Sequence, residues 1–325
     1  MTSQNPLLAI DLGGSKIVTA VVSPDGKIMA REYTLTLAEE GAEAVIRRMI
    51  DTIDQVIGQA NLSRSLFSTI AIAAAGAIDS KKGIVTASPN LPGWFNVPLK
   101  EIVKKETGLE TFLINDASAA ALGEYYFGAG RGVNNLIYMT VSTGIGGGII
   151  IDGKLHVGAS GSAGEIGHTT VDINGPRCNC GNIGCLEVLA SGKAVAREAQ
   201  KLIAQGSKSI MLKLAEGELQ NVTAQTVSAA AQKGDTLALA IIRKAATYLG
   251  VGMVNLVNTF NPDMIIVGGG MSQMGEMLLE PARQVVAERA FQLPAQRVRI
   301  VRSQLGDNAG VIGAAAFVQK SAKPL

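Results

Sequence analysis

Residues 178 to 187 read CNCGNIGCLE and hold Cys178, Cys180 and Cys185, the only cysteines in a chain of 325 residues. Thiols this close either share a metal, form a disulfide, or sit reduced in a loop. A single disulfide would leave an odd thiol, and a Cys178–Cys180 bridge would close a very small, strained ring. His168 is one of two histidines and precedes Cys178 by nine intervening residues. With it the set becomes Cys₃His, a closed zinc shell that keeps no open position and is therefore structural rather than catalytic. Gly181 and Gly184 would permit the tight turn that returns Cys185 to the other two thiols. The spacing is not that of a zinc finger, so no nucleic-acid module is implied. Such a metal should contribute to local folding.

The stretch FLINDASAAALGE places Asn115 and Asp116 where an apolar strand gives way to an Ala-rich helix. Asp116 is either the N-cap of that helix or a general base, since a carboxylate at a strand's C-terminal end can accept a proton from a substrate hydroxyl. Asn90 in SPNLPGW and Glu165 in GEIGH are polar groups that could face the same cleft. Three glycine-rich turns follow apolar strands: DLGGSK (11–16), STGIGGG (142–148) and VGGGMS (267–272). Each is either a tight turn or a place where backbone N–H groups approach phosphate oxygens with no Cβ in the way. Lys16 and the hydroxyls of Ser15 and Thr143 could add donors, and Asp11 could hold Mg²⁺. Neither a G-x-x-x-x-G-K-[ST] P-loop nor a G-x-G-x-x-G fingerprint is present. A nucleotide site assembled from separate turns is the expectation.

The elements that would carry these residues alternate between strands and helices. LLAIDLGG, KIVTAVVS and KIMAREYTLT read as strands, the last two joined by the hairpin signal PDG at 24 to 26. Val45, Ile46, Met49, Ile50, Ile53 and Ile57 recur at helical spacing between Gly41 and Ala60. FSTIAIAAAG and TFLIND are buried strands. NLIYMTVSTGIGGGIIIDGKL then repeats the opening pattern of strand, glycine turn and strand, ending in DGK as the first set does. Helices are expected from Gly192 to about Phe260 with a break near 205 to 222, over 275 to 291, and from Asn308 to Lys320, with strands at MIIVGGG and VRIVRS. This is an α/β pattern of two related halves. Lys+Arg 29 against Asp+Glu 27 gives a net charge of +2. That balance supplies neither a basic stripe for nucleic acid nor a polybasic membrane patch. The start MTSQNPLLAIDLGG has no basic region before its short apolar run, and the long uncharged runs contain polar residues. A soluble, cytoplasmic protein is expected.

Taken in order, DLGGSK, NDASAAALGE, STGIGGG, GEIGH, CNCGNIGCLE and VGGG resemble the repressor/open reading frame/kinase (ROK) family of sugar kinases, over nearly the whole chain. The resemblance implies an α/β fold of two actin-like, RNase H-like domains around a central cleft, in the actin–hexokinase–Hsp70 class. It implies a smaller N-terminal domain over 1–116, a larger one over 117–307 with a zinc loop at 165–187, and a C-terminal helix at 308–325 packing back onto the first. It implies ATP and Mg²⁺ as well as structural Zn²⁺. Asp11, Gly13, Gly14, Ser15 and Lys16 match the first phosphate motif, Thr143, Gly144, Gly146 and Gly147 the second, and Gly268, Gly269 and Gly270 the adenosine-side turn. Asp116 matches the catalytic base for a sugar 6-hydroxyl, and Asn90, Asn115, Glu165, His168 and Glu187 match the residues that hold the sugar. Ser15 stands where the family usually has Thr, and Ala75 where it often has Pro. The activity implied is that of a glucokinase. N-acetylmannosamine, N-acetylglucosamine, fructose or allose kinases are the alternatives, and a sugar-responsive repressor a remote one. The family's repressors add an N-terminal helix-turn-helix, for which a first strand starting at about Leu7 leaves no room. A homodimer or homotetramer, with no nucleic-acid or membrane partner, completes the expectation.

Overall fold

The computed structural model describes residues 5–88 and 90–320. The chain opens with β1 (Leu7–Leu12), β2 (Lys16–Val22), β3 (Ile28–Leu35) and α1 (Ala42–Gln59). It continues through β4 (Thr69–Ala74), β5 (Ala77–Asp79), β6 (Ile84–Ala87), β7 (Phe95–Val97), α2 (Leu99–Thr107), β8 (Glu110–Asn115) and α3 (Asp116–Phe127). A second set follows: β9 (Leu136–Val141), β10 (Ile145–Ile151) and β11 (Lys154–Leu155). Helices α4 (Leu186–Ala190), α5 (Gly192–Ala204), α6 (Met211–Leu214), α7 (Ala224–Gln232) and α8 (Thr236–Phe260) lead to β12 (Met264–Gly268). Then come α9 (Glu276–Arg289), α10 (Gln292–Arg297), β13 (Arg299–Arg302) and α11 (Ala309–Lys320).

The echo between the two strand sets is a repeat of topology. One five-stranded sheet has the order β3-β2-β1-β4-β8 and the other β11-β10-β9-β12-β13. β1 runs antiparallel to β2 and parallel to β4, which is parallel to β8. In the second sheet β9, β12 and β13 are likewise parallel. The central strands are near-continuous apolar runs because helices and loops cover both of their faces. Leu8, Ile10, Ile70 and Ile72 meet the Val45, Met49, Ile53 and Val56 face of α1 in one core. Register brings the ends of the parallel strands level, with Leu12 opposite Ala74 and Ala74 opposite Asn115. Ala75 extends this pairing by donating its N–H to the Leu12 carbonyl at 3.0 Å, a bond that a proline at that position could not make.

By its contacts the chain divides into two units. The first comprises the described residues up to Gly132, Gly148–Gly164, and the described residues from Gln304 on; the second comprises Val133–Gly147 and Glu165–Ser303. This differs from the expected division at 116/117 in assigning Gly148–Gly164 to the first unit and in keeping α3 there as well. For α3 the reason is its packing against α11, also in that unit: a Cβ on Gly313 would lie 1.6 Å from the Ala119 carbonyl oxygen. Only glycine allows the two helices to approach so closely. Residues 321–325 of the expected C-terminal helix lie outside the described residues.

Several elements were not expected, among them the short helices α4, α6 and α10. A three-stranded sheet, β5-β6-β7, and α2 sit between β4 and β8. The strands are short and separated by turns at Gly83 and at Pro92–Gly93, so no alternation marks them, while on α2 the helical spacing of Leu99, Ile102 and Val103 spans too short a stretch to stand out. Among the described residues α8 alone has the length and apolar composition of a membrane span, and more than half of its most apolar window is buried inside the protein.

Candidate functional site

In the first unit the candidate residues gather at the level ends of β1, β4 and β8. From the sequence Asp116 is either an N-cap or a general base; the cap of α3 is Asn115. The Asn115 side-chain carbonyl accepts from the Ser118 N–H at 3.0 Å, and its Nδ2 donates to the Gly76 carbonyl at 3.1 Å and to Asp116 Oδ1 at 3.1 Å. Asp116, the first helical residue, also accepts from the Ala117 N–H at 2.8 Å. Its carboxylate is therefore held by groups at the helix N-terminus, where negative charge is favoured, and remains half-buried.

Asp11 lies on β1, opposite Ala73 of β4. At the start of α11, Gly310 closes over it: a Cβ there would sit 2.2 Å from Asp11 Oδ2. Burial pushes the Asp11 acid up from 3.8 to about 7, the charge of Asp116 pushes it the same way, Lys16 opposes them and Asp307 adds a little. A carboxyl desolvated beside a second carboxylate is one that a cation would restore to its ionised form. Asp11 thus suits Mg²⁺, which takes one or two carboxylates and keeps several waters. Between β1 and β2 the turn is closed by Gly13 N–H donating to the Lys16 carbonyl at 2.9 Å. Thr36 fixes it from the side: its hydroxyl donates to the Gly13 carbonyl at 2.7 Å and its N–H to the Ser15 carbonyl at 3.1 Å. Ser15 is exposed, and Lys16, partly exposed, lies 3.5 Å from the exposed Asp307, a weak surface pair.

In the second unit the two other turns lie side by side, because β9 and β12 are parallel with Gly268 opposite Thr140. Gly268 ends β12, Gly269 has φ 79° and approaches the Val141 carbonyl, and Gly270 is exposed. Ser142 receives the Gly192 N–H on its carbonyl at 2.7 Å, which brings the start of α5 to the same place. Thr143 is exposed on this turn, whereas Gly146 and Gly147 fall within β10. Glu187, in the first turn of α4, accepts from the Ile145 N–H at 2.9 Å, and Gly144 leaves the room its carboxylate fills. Glu165 is exposed and directly precedes the 3-10 turn Ile166–His168.

The thiol cluster forms as expected. His168, Cys178, Cys180 and Cys185 bring their ligand atoms within 4.8 Å of one another. His168 Nδ1 is 3.7 Å from Cys178 Sγ, and Cys180 Sγ is 3.7 Å from Cys185 Sγ. Ligand bonds of ~2.3 Å in a tetrahedral zinc shell imply edges of about 3.8 Å, so these separations fit a four-ligand metal site. Burial raises the Cys178 thiol and pushes that of Cys185 up to about 12, while backbone N–H donation from Asn182 lowers Cys180. Two thiols that burial keeps protonated would need a cation to become ligands. The loop turns at Gly181 and Gly184, whose φ of 95° and 63° suit glycine. Asn182, which the sequence reading passed over, clamps it to the histidine segment by donating to Thr170 Oγ1 at 2.9 Å and to the His168 carbonyl at 3.4 Å. Thr36 and Gly76 were also passed over. Their role lies in backbone contacts across the fold that no local motif records.

The raised acid of Asp11 has a stability consequence. Unfolded, its carboxyl ionises near 3.8; folded, it keeps its proton to about 7. The folded state binds more protons between these values, so this group lowers stability as pH rises through that window. Asp11→Asn, which cannot ionise, is expected to raise the cation-free unfolding midpoint over the parent at about pH 8, with the gain shrinking toward about pH 4. Thermal scans across that range check this, and a gain independent of pH contradicts it.

Residues 7–321 match the ROK family. A glucokinase of Thermotoga maritima is 39% identical over 314 residues, which cover 97% of each chain. A xylose repressor of Caldicellulosiruptor bescii is 37% identical over 312 residues, covering 96% of this chain and 77% of the relative. Among solved structures, a ROK family glucokinase from Streptomyces griseus in complex with glucose and AMPPNP matches with a TM-score of 0.83 at 36% identity, over 95% of this chain and 98% of that one. The repeated sheets are those of the two-domain actin-like class. Family match, extent of identity and fold agree: this chain belongs to the ROK family.

Proposed function

We propose that this protein is a glucokinase that transfers the γ-phosphoryl group of ATP to the 6-hydroxyl of glucose. The observation that carries the reading is Asp116: a half-buried carboxylate fixed at the level ends of three parallel strands, with Asn115 beside it. Ligands of open α/β sheets bind at the carboxyl ends of strands. The glucokinase relatives, matched over almost their whole length, support the substrate pair.

In this mechanism Asp116 accepts the proton of the 6-hydroxyl as that oxygen attacks the γ-phosphorus and the bond to the ADP oxygen breaks. A base fixed by hydrogen bonds from Ala117 and Asn115 needs little reorganisation. Backbone N–H groups of the turns at Gly13–Gly14, Thr143–Gly144 and Gly268–Gly270, with Lys16, meet the phosphate charge. Gly146 and Gly147 support the second turn from β10. Bound Mg²⁺ would neutralise phosphate charge, and Asp11 would hold it. Asn90, Asn115, Glu165, His168 and Glu187 would hold the sugar hydroxyls. His168, Cys178, Cys180 and Cys185 would hold a structural zinc that makes the loop rigid. Nδ1 of His168 faces Cys178, so its other ring nitrogen would serve the sugar. Other hexoses or N-acetylhexosamines are the alternative substrates. The repressor relative supplies a second reading, a sugar-responsive regulator.

Asp116→Asn keeps a side-chain carbonyl for the Ala117 N–H but removes the base. Turnover is expected to fall on the order of 100-fold or more, with glucose affinity within a few-fold of the parent. Steady-state ADP release alongside calorimetric glucose titration checks this, and near-normal turnover sinks the assignment of Asp116. For the loop, elemental analysis of the purified protein should find about one zinc per chain, lost in Cys178→Ser together with resistance of residues 169–185 to proteolysis. Metal-free protein of full activity with all three thiols freely reactive would overturn the zinc reading.

A further inference from the structure

Gly14 belongs by sequence to the first phosphate turn, yet its nearest neighbour outside that turn is the candidate sugar residue. A Cβ on Gly14 would lie 2.6 Å from Asn90 Cβ, 2.7 Å from the Asn90 carbonyl oxygen and 3.3 Å from its carbonyl carbon. Contacts below about 3 Å do not occur between such atoms, and a backbone carbonyl cannot step aside as the end of a long side chain can. Neighbouring Gly13 differs: its Cβ would meet only the Lys16 carbonyl oxygen, at 3.2 Å.

The rest of the Asn90 loop is anchored independently. Gly76, at φ 108°, leaves room for Ser88, whose Cα would be 2.8 Å from an added Cβ, and the same glycine's carbonyl accepts from Asn115 Nδ2. Leu91 N–H donates to the Ser88 carbonyl and Trp94 N–H to the Leu91 carbonyl, both at 3.2 Å. Leu91 and Trp94 are buried in the first unit's core. Held at both ends, the loop has its exposed Asn90 resting on Gly14. We infer that Gly14 is a positioning residue for sugar binding: the absence of its side chain seats Asn90, so the β1–β2 turn sets sugar affinity even with no nucleotide bound. The inference rests on the kinase reading for the identity of the ligand, but not for the contact itself.

The test compares Gly14→Ala with Gly13→Ala in the full chain. Trp94 is the only tryptophan and lies four residues beyond Asn90, so its emission reports on this loop. In ligand-free protein, hydrogen exchange over residues 90–94 is expected to be faster and Trp94 emission altered in Gly14→Ala, but not in Gly13→Ala. Nucleotide-free glucose titrations should then show a Kd raised by roughly tenfold in Gly14→Ala, a loss of about 1.4 kcal/mol, and little change in Gly13→Ala. Unchanged exchange and emission in Gly14→Ala overturns the seat. A normal glucose Kd with a raised ATP KM returns Gly14 to a phosphate-only role. A parent protein that binds no glucose counts against the kinase reading, and the ligand-free exchange still decides the contact.

Discussion

The burial of Asp11 beside Asp116 is the interaction on which the first unit's site depends. Parallel pairing fixes both strand ends at one level, and the first turn of α11 closes over Asp11 because Gly310 has no side chain to prevent it. Burial first, and the charge of Asp116 second, lift the acid of Asp11 toward neutrality. Such an arrangement costs stability as the pH rises above the ordinary carboxylate range, and a bound cation would relieve it. Function and fold therefore compete at this point. Packing elsewhere, above all the α3–α11 contact and the α1 face on the sheet, offsets the cost.

The second unit arranges its polar groups by a different device. Its parallel strands bring two glycine turns together, and Glu187 ties the turn at Gly144 to the segment that follows Cys185. The thiol loop thus adjoins the turn proposed to meet phosphate. A rigid clip at Cys178, Cys180, Cys185 and His168 would hold Glu187 as well as His168, which explains how a metal with no open coordination position could still matter to a site beside it.

Much of this was legible in the sequence because the signals are local. The repeated strand, glycine turn and strand gave the two sheets, and the thiol spacing with His168 gave the ligand quartet. What could not be read was settled by competition or by distance. Asn115 and Asp116 can both cap a helix, and only the backbone decides that Asn115 reaches the Ser118 N–H. Strands of three residues such as β5 and β7 carry no periodicity. The side of the division on which α3 falls depends on its packing with a helix almost 200 positions later in the chain. Nor does DLGGSK disclose that its second glycine carries Asn90.

The central claim is that these strand-end groups serve phosphoryl transfer to a hexose. It is tested most directly by measuring ADP formation by the parent protein with Mg²⁺ and ATP over a panel of glucose, mannose, fructose, allose, N-acetylglucosamine and N-acetylmannosamine, with the phosphorylated sugar quantified beside it. The account predicts ADP release that depends on sugar, is fastest with glucose, and matches glucose 6-phosphate one for one. ADP release indifferent to every sugar, or none at all, would contradict it.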